Sequence, residues 1–433
     1  MDEIKLGKNQ IYETEITDLT TEGLGVGRIE GVAVFVAGVL PGEKARVKVI
    51  KIAKSYVVGK LEELISVSPE RVKPPCPVFG RCGGCSLQHL SYYGQLEYKH
   101  RWVQSCMERI GNSNVPVNFP LPARQIIGYR NKTAFPVRQA QEGVLVGCYR
   151  PHSHEIVDGG GCLLHSPEAD ACVGVVRNWM NENKVSAYDE IAHKGLIRHI
   201  MVRRTAYGDL MVGLVVNGEE IPFAKELIRD LRSTMPDVIS IVVNQNQERG
   251  NVILGDKYRT IWGENFLMDT LRGLSFKLSV PSFYQVNPDQ TEVLYGKALE
   301  YAALTGEETV LDLYCGIGTI TLCLAAGARR VIGAEIVAPA IDDARENAER
   351  NGISNAEFFC GDAPDIAARL EQEGLRPDVV TVDPPRKGLA PEVIASIAGM
   401  GPKRVVYVSC DPGTLGRDVK LFAGFGYRAV RAC

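Results

Sequence analysis

From Val310 to Val408 the chain alternates short apolar runs with amphipathic stretches. The runs are TVLDLYC, RVIGAEI, AEFFCGD, DVVTVDPP and RVVYVSC. Short apolar strands separated by helical stretches form one parallel sheet with helices on both faces. This pattern predicts an α/β, doubly wound domain. Such sheets bind their ligands outside the carboxyl ends of the strands, so the residues at those ends carry the functional reading.

The first run ends in DLYCGIGTIT, Asp312 to Thr321. Gly316 and Gly318 let the backbone approach a ligand where strand turns into helix. A lone Gly-x-Gly is weak evidence, but here it stands in the right place. Glu335 ends the second run, seventeen residues after Gly318, where an acid suits the ribose hydroxyls of a nucleoside cofactor. Asp362 follows the third run and could take an adenine amino group. The competing readings are a dinucleotide-binding sheet, or acids that only cap helices. The missing third glycine and the sequence Asp383-Pro384-Pro385-Arg386 after the fourth run count against a dinucleotide. Asp-Pro-Pro at this place marks methyltransferases that act on bases, and the prolines stiffen a loop framing a flat substrate.

The fifth run ends VSCDPGTLGRD, which puts Cys410 on the ligand-binding rim. A buried free thiol is the common alternative. The polar neighbours Ser409 and Asp411 and the break at Pro412-Gly413 argue against burial. A thiol here has a chemical use. C5 of uracil is a poor nucleophile, and addition of a thiolate to C6 makes an enolate with electron density at C5. Asp383 would lie beside the pyrimidine edge.

The rest of the 433 residues divides further. Val32 to Lys51 reads as strand, Pro-Gly turn, strand, and residues 3–65 as a small β-barrel. Lys44, Arg46, Lys48, Lys51, Lys54 and Lys60 lie there, either as a solvated face or as an RNA backbone groove. A Pro-rich linker follows. Cys76, Cys82 and Cys85 then form C-x5-C-x2-C, with Gly83-Gly84 between the last two. The opening residues show no export signal, so disulfides are not expected among the 12 cysteines, and spacing alone favours zinc. The formal net charge of −3 argues weakly against nucleic acid, but phosphate contacts need only a local basic face. Arg130, Lys132, Arg198, His199, Arg203 and Arg204 are read as RNA contacts. No apolar run is long enough to span a membrane, and a cytoplasmic protein is expected.

The motifs CPVFGRCGGCSLQH, GYRNKTAFPV, GLIRHIMVR, SFYQVNP, DLYCGIGTITL, VDPPRKGL and SCDPGTLGRD together resemble the uridine-C5 RNA methyltransferase family. The likeness is closest to its bacterial 23S rRNA members with an iron–sulfur cluster, and covers nearly the whole chain. The resemblance implies a class I S-adenosylmethionine methyltransferase domain at 276–433, a TRAM-type, OB-like barrel at 1–65, and an α+β cluster-bearing RNA-binding domain at 76–275. Part of 88–121 would pack on the catalytic domain. It implies Cys410 as nucleophile with Asp383 beside it, and Gln285, Tyr314, Gly316, Gly318, Thr319, Glu335, Asp362 and Asp383 around S-adenosylmethionine. It turns the metal preference to a [4Fe–4S] cluster on Cys76, Cys82, Cys85 and Cys162. Cys148 competes for the fourth place, with His89 and His165 behind it. The expected substrate is 23S rRNA, met by a monomer. The alternatives are a tRNA uridine methyltransferase, a non-catalytic RNA-binding protein and an amino-group methyltransferase, the last disfavoured by Cys410. The family pattern continues past Cys433 with a strand pair and a glutamate base, for which no residue here matches, so a truncated sequence that binds cofactor poorly or stalls as a covalent adduct is expected.

Overall fold

The computed structural model describes residues 6–433. The first five, part of the stretch read for an export signal and of the barrel span, lie outside the described residues. The chain divides into two compact units, Met1–Arg101 with Cys148–Gly159, and Trp102–Gly147 with Gly160–Cys433.

In the first unit β1 (Ile11–Leu19), β2 (Gly25–Ile29), β3 (Val32–Val36), β4 (Lys44–Ile52) and β5 (Tyr56–Ser66) close a barrel in the order β1-β2-β3-β5-β4. Along β4, Ala45, Val47 and Val49 point inward while Lys44 and Arg46 point out, the two-residue period of a half-buried strand. Gly59 on β5 is required, because a Cβ there would meet Val47 Cγ1 at 2.0 Å. Glu43 is fully buried at the turn before β4. It accepts Arg71 Nε at 2.5 Å, Arg71 Nη2 at 2.7 Å, and the N–H groups of Leu40 and Ser68. Burial works against its charge, but Arg71 and the two backbone donors outweigh that and lower its pKa. The chain after the barrel is thereby bolted to it.

Helix α1 (Tyr92–Arg109) crosses the division between the units. In the first unit Tyr98 is buried and its hydroxyl donates to Thr20 O at 2.7 Å. In the second, Met107 packs with Val115, Val117, Leu415 and Val419. Then come β6 (Lys132–Ala140) and β7 (Gly143–Val146) of the second unit, and the small hairpin β8 (Cys148–Tyr149) and β9 (Ile156–Val157) of the first.

The central part of the second unit adds α2 (Pro167–Glu182), β10 (Ile197–Arg204), β11 (Leu210–Val216), α3 (Ala224–Thr234), β12 (Val238–Gln245) and β13 (Lys257–Gly263). Its sheet runs β13-β12-β11-β10-β6-β7, antiparallel except for β11 and β12. Helices α2 and α3 bury Trp179, Met180, Leu227 and Leu231 against one face. Met201, Met211 and Val242 on the other face meet Leu267 and Val280. Covering on both faces explains why every residue of β11 is buried.

The hairpin β14 (Leu267–Leu271) and β15 (Leu274–Leu278) leads into α4 (Pro288–Ala302) and the catalytic sheet. There β16 (Thr309–Leu313), α5 (Thr319–Ala325), β17 (Arg330–Glu335), α6 (Ala338–Arg350), β18 (Ala356–Cys360), α7 (Ala363–Gln372), β19 (Val379–Val382), α8 (Pro391–Met400), β20 (Arg404–Tyr407) and α9 (Pro412–Gly424) alternate. The five strands are parallel in the order β18-β17-β16-β19-β20. One apolar core joins α4, α5 and α6 to the sheet, and a second joins α7, α8 and α9. The strand order reverses between β16 and β19, the switch point where such sheets open a ligand crevice. No helix among the described residues is long and apolar enough to cross a membrane.

Candidate active site

The crevice is built from five strand ends. After β16 the chain turns through Tyr314, whose φ is 68°. A non-glycine residue there costs on the order of 1–3 kcal/mol and persists only where its surroundings fix it. The fixing groups are the N–H of Tyr314 at 2.9 Å and of Cys315 at 3.0 Å, both on Ala334 O. Gly318 has φ 83°, and a Cβ on it would meet Ala344 and Phe358 at 3.2–3.3 Å. Thr319 begins α5 and shares a 2.9 Å hydrogen bond with the buried Tyr295 hydroxyl. Glu335 closes β17, accepting Gly316 N–H at 3.2 Å and Val337 N–H at 3.0 Å. Asp362 accepts Ala363 N–H at 2.9 Å as the cap of α7, while Gly361 N–H reaches Glu335 O at 2.9 Å. Gly316, Gly318, Thr319, Glu335 and Asp362 therefore line the ends of three adjacent strands, with Tyr314 among them.

Asp383 stands one residue past β19, with its N–H 3.4 Å from Leu313 O. Burial and the neighbouring Asp312 push its carboxyl pKa up to about 7. Asp312 is itself fully enclosed, accepts Thr321 Oγ1 at 2.5 Å and Thr381 Oγ1 at 2.6 Å, and is raised by burial to about 6. On the next strand Val408 N–H donates to Val382 O at 2.9 Å. Asp383 and Cys410 thus leave neighbouring parallel strands at the same level. The Cys410 thiol is exposed. Its loop is held by Asp411, which takes Thr414 N–H at 2.9 Å and gives its own N–H to Ser409 Oγ at 3.1 Å.

The two loops are cross-linked by a residue that the sequence reading passed over. Asp418 on α9 is fully buried and accepts Leu389 N–H at 2.8 Å, Tyr407 Oη at 2.7 Å and Arg417 Nε at 2.8 Å. Arg417 in turn donates to Lys387 O and Leu389 O. Gly388, at φ 72°, passes so close that a Cβ would lie 2.6 Å from Asp418 Oδ2. The signal was present in the closing Arg-Asp of SCDPGTLGRD, but spacing along α9 does not say which loop it grips.

Gln285 lies between β15 and α4, and its carbonyl accepts Asn131 Nδ2 at 3.0 Å. Here the reading of the central basic residues as RNA contacts needs correction. Arg198, His199 and Arg203 are buried. Arg198 donates to Asn246 O and Glu248 O and stacks 4.5 Å over Tyr188. Arg203 donates to Ser282 O at 2.6 Å, and Lys132 to Val280 O at 3.3 Å. β10 lies inside the sheet with both faces covered, so side chains that looked like a basic patch point into the protein. The barrel cations are partly answered by acids: Arg46 meets Glu13 at 3.2 Å and Glu63 at 2.8 Å, and Lys60 meets Glu62 at 3.9 Å.

The cysteine loop has suitable donors, and Gly84 N–H points at Cys82 Sγ at 3.3 Å, the kind of contact that supports cluster thiolates. The donors are not gathered: among the described residues no three Cys, His, Asp or Glu side chains are placed to hold a metal. Cys76, Cys82, Cys85 and Cys148 belong to the first unit and Cys162 to the second. Gly83 N–H meets Tyr149 O at 2.8 Å, which sets Cys148's hairpin beside the loop. His89 and His165 are held as neutral imidazoles. Burial, then Arg71, lowers the pKa of His89; burial and Arg130 lower that of His165 to about 4.

The profile of the family described as tRNA (Uracil-5-)-methyltransferase matches residues 253–424, and that of the TRAM domain residues 6–61. A protein named as an RNA methyltransferase in Halalkalibacterium halodurans is 45% identical over 98% of this chain and 93% of its own. One in Listeria innocua is 47% identical over 98% and 94%. The chain belongs to the RNA uracil-5-methyltransferase family. Among solved structures, the Pyrococcus abyssi tRNA (uracil-54, C5)-methyltransferase in complex with S-adenosyl-L-homocysteine superposes with a TM-score of 0.75, at 27% identity over 94% of this chain and 93% of that one. This uracil-5-methyltransferase therefore joins a class I catalytic domain to an N-terminal TRAM barrel, and its methyl donor is S-adenosylmethionine.

Proposed function

We propose that the enzyme methylates C5 of a uridine in 23S rRNA through a covalent bond between Cys410 and C6. The observation that carries this reading is an exposed thiol on the strand next to Asp383, at the open end of the sheet. The Cys410 thiolate adds to C6, and the enolate carbon C5 attacks the methyl group of the sulfonium. The S–CH3 bond breaks and S-adenosylhomocysteine leaves. Loss of the C5 proton to a base then expels the thiolate and restores the aromatic ring. Gln285, Tyr314, Gly316, Gly318, Thr319, Glu335, Asp362 and Asp383 hold the cofactor, with Asp383 also facing the pyrimidine.

In this reading residues 1–65 and 76–275 engage RNA, residues 276–433 carry the chemistry, and the enzyme works as a monomer. Cys76, Cys82, Cys85 and Cys162 are the ligands proposed for a [4Fe–4S] cluster, supported by the donor set and the Gly83-Gly84 turn. Holding it requires the loop to close around it. Cys148→Ser should keep the iron that Cys162→Ser loses. A tRNA substrate is the second reading, favoured by the solved neighbour's name. Nucleoside analysis of 23S rRNA and tRNA after incubation with enzyme and S-adenosylmethionine tests both. 5-Methyluridine in 23S rRNA, free or held on Cys410 as the methylated adduct, is expected. Its appearance in tRNA alone selects the second reading, and its absence from both rejects the function.

A further inference from the structure

The loop from Val280 to Asn287 has no secondary structure of its own, yet it presents Gln285. Its residues alternate in environment. Ser282 and Tyr284 are buried, whereas Phe283 is 70% exposed. A buried irregular segment must find donors for its carbonyls. Here they come from the central sheet. Lys132 Nζ serves Val280 O, Arg203 Nη2 serves Ser282 O at 2.6 Å, Asn131 Nδ2 serves Gln285 O at 3.0 Å, and the Asn131 N–H serves Val286 O at 3.0 Å. Three residues of two sequence motifs thus hold four carbonyls of one loop.

Arg203 is the most telling of them. Only 3% of it is exposed, its Nε and Nη1 have no protein partner, and its Nη2 is spent on the loop. Burying a guanidinium without full pairing is unfavourable. An apolar residue at this place in β10 would pack without that cost, so the cation is poorly explained by stability. It cannot serve as a phosphate contact from inside the sheet. Asp269 opposes its charge nearby, itself held by the N–H groups of Ala206 and Thr270.

We infer that Arg203 and Asn131 are positioning residues for the cofactor pocket: the central sheet sets the pose of Gln285 by gripping the backbone on both sides of it. This rests on the proposed assignment of Gln285 to that pocket. Its consequence is that these residues of a supposed RNA-binding domain govern S-adenosylmethionine affinity.

The test compares Arg203→Met, Asn131→Ala and Gln285→Ala in the full chain. Calorimetry would measure S-adenosylmethionine binding without RNA, and filter binding the RNA affinity. Arg203→Met and Asn131→Ala are expected to weaken cofactor binding roughly tenfold, the scale of one lost buried hydrogen bond, and to leave RNA affinity within about twofold. In steady state the KM for S-adenosylmethionine should rise while kcat at saturation stays near wild type, a split that general loss of folded protein does not produce. Asn131→Ala keeps the test open should Arg203→Met fold poorly. Unchanged cofactor affinity, or a loss confined to RNA affinity, overturns the inference. If Gln285→Ala still weakens binding in that case, the pocket assignment stands and only the anchoring falls; if it does not, both fall.

Discussion

The loops carrying Asp383 and Cys410 differ from the loop carrying Cys76, Cys82 and Cys85 in what holds them. The first pair is fixed by protein groups alone: Asp418 and Arg417 bind the Asp383 loop at Leu389 and Lys387, and Asp411 caps α9 directly beside Cys410. The cysteine loop is held by its own short-range turns, Phe79 N–H on Cys76 O and Cys82 N–H on Val78 O, and by Gly83 N–H on Tyr149 O, and among the described residues it shows no gathered set of ligands. A thiol that must meet a ring carbon needs its geometry before substrate arrives. A metal loop can take its geometry from the metal. The two regions should therefore respond in opposite ways to mutation and to chelation.

The largest effect is expected at Asp418. Asp418→Ala strips the buried acceptor from Leu389 N–H and Tyr407 Oη and releases the half-exposed Arg417, so it should cost about 2–4 kcal/mol in denaturant unfolding. Asp418→Asn should cost less, because the shape and one acceptor remain. An Asp418→Ala protein of wild-type stability would show that the two loops hold themselves.

Chelation should do the reverse. Removing iron from anaerobically purified protein, which should carry about four irons per chain, is expected to raise hydrogen exchange across residues 76–85. S-adenosylmethionine affinity should stay within about twofold. Stoichiometric zinc in place of iron would select the other metal. Unchanged exchange after metal loss would remove the contrast between the regions.

A smaller effect concerns pH. Folded protein keeps the Asp383 proton up to about pH 7, whereas an unfolded aspartate releases it near pH 4. The folded state binds more protons between these values, so stability falls as pH rises from about 4 to about 7, and the penalty is complete above that. Asp383→Asn should thus stabilise the cofactor-free protein at pH 8 by roughly 2 kcal/mol, after allowance for solvent screening, and flatten the profile. A variant no more stable at pH 8 than at pH 5, relative to wild type, would contradict the cause given for the shift. The smallest effect is expected on the barrel. Arg46→Ala removes exposed pairs with Glu13 and Glu63 and should leave the denaturant unfolding midpoint essentially unchanged.

Much of the catalytic sheet was legible, because each strand is a continuous apolar run ending in a polar residue. Glu335, Asp383 and Cys410 fall where that pattern stops. The central sheet was less so. β10 reads IRHIMVRR, and nothing local says that a second apolar layer covers the side carrying Arg203. Its cations were read as RNA contacts because burial depends on β14 and Val280, more than sixty residues away. Asp418 was hidden for a similar reason, since its partner loop lies nearly thirty residues earlier in the chain.

The covalent step is tested most directly with RNA in which the target uridine carries fluorine at C5. Addition of Cys410 and methyl transfer can proceed, but fluorine cannot leave as a proton does, so the adduct persists. Incubation with S-adenosylmethionine, digestion and mass spectrometry should find methylated fluorouridine on the peptide containing Cys410, and none in Cys410→Ala. An adduct on another residue, or 5-methyluridine formed by Cys410→Ala at the wild-type rate on ordinary RNA, would contradict the mechanism.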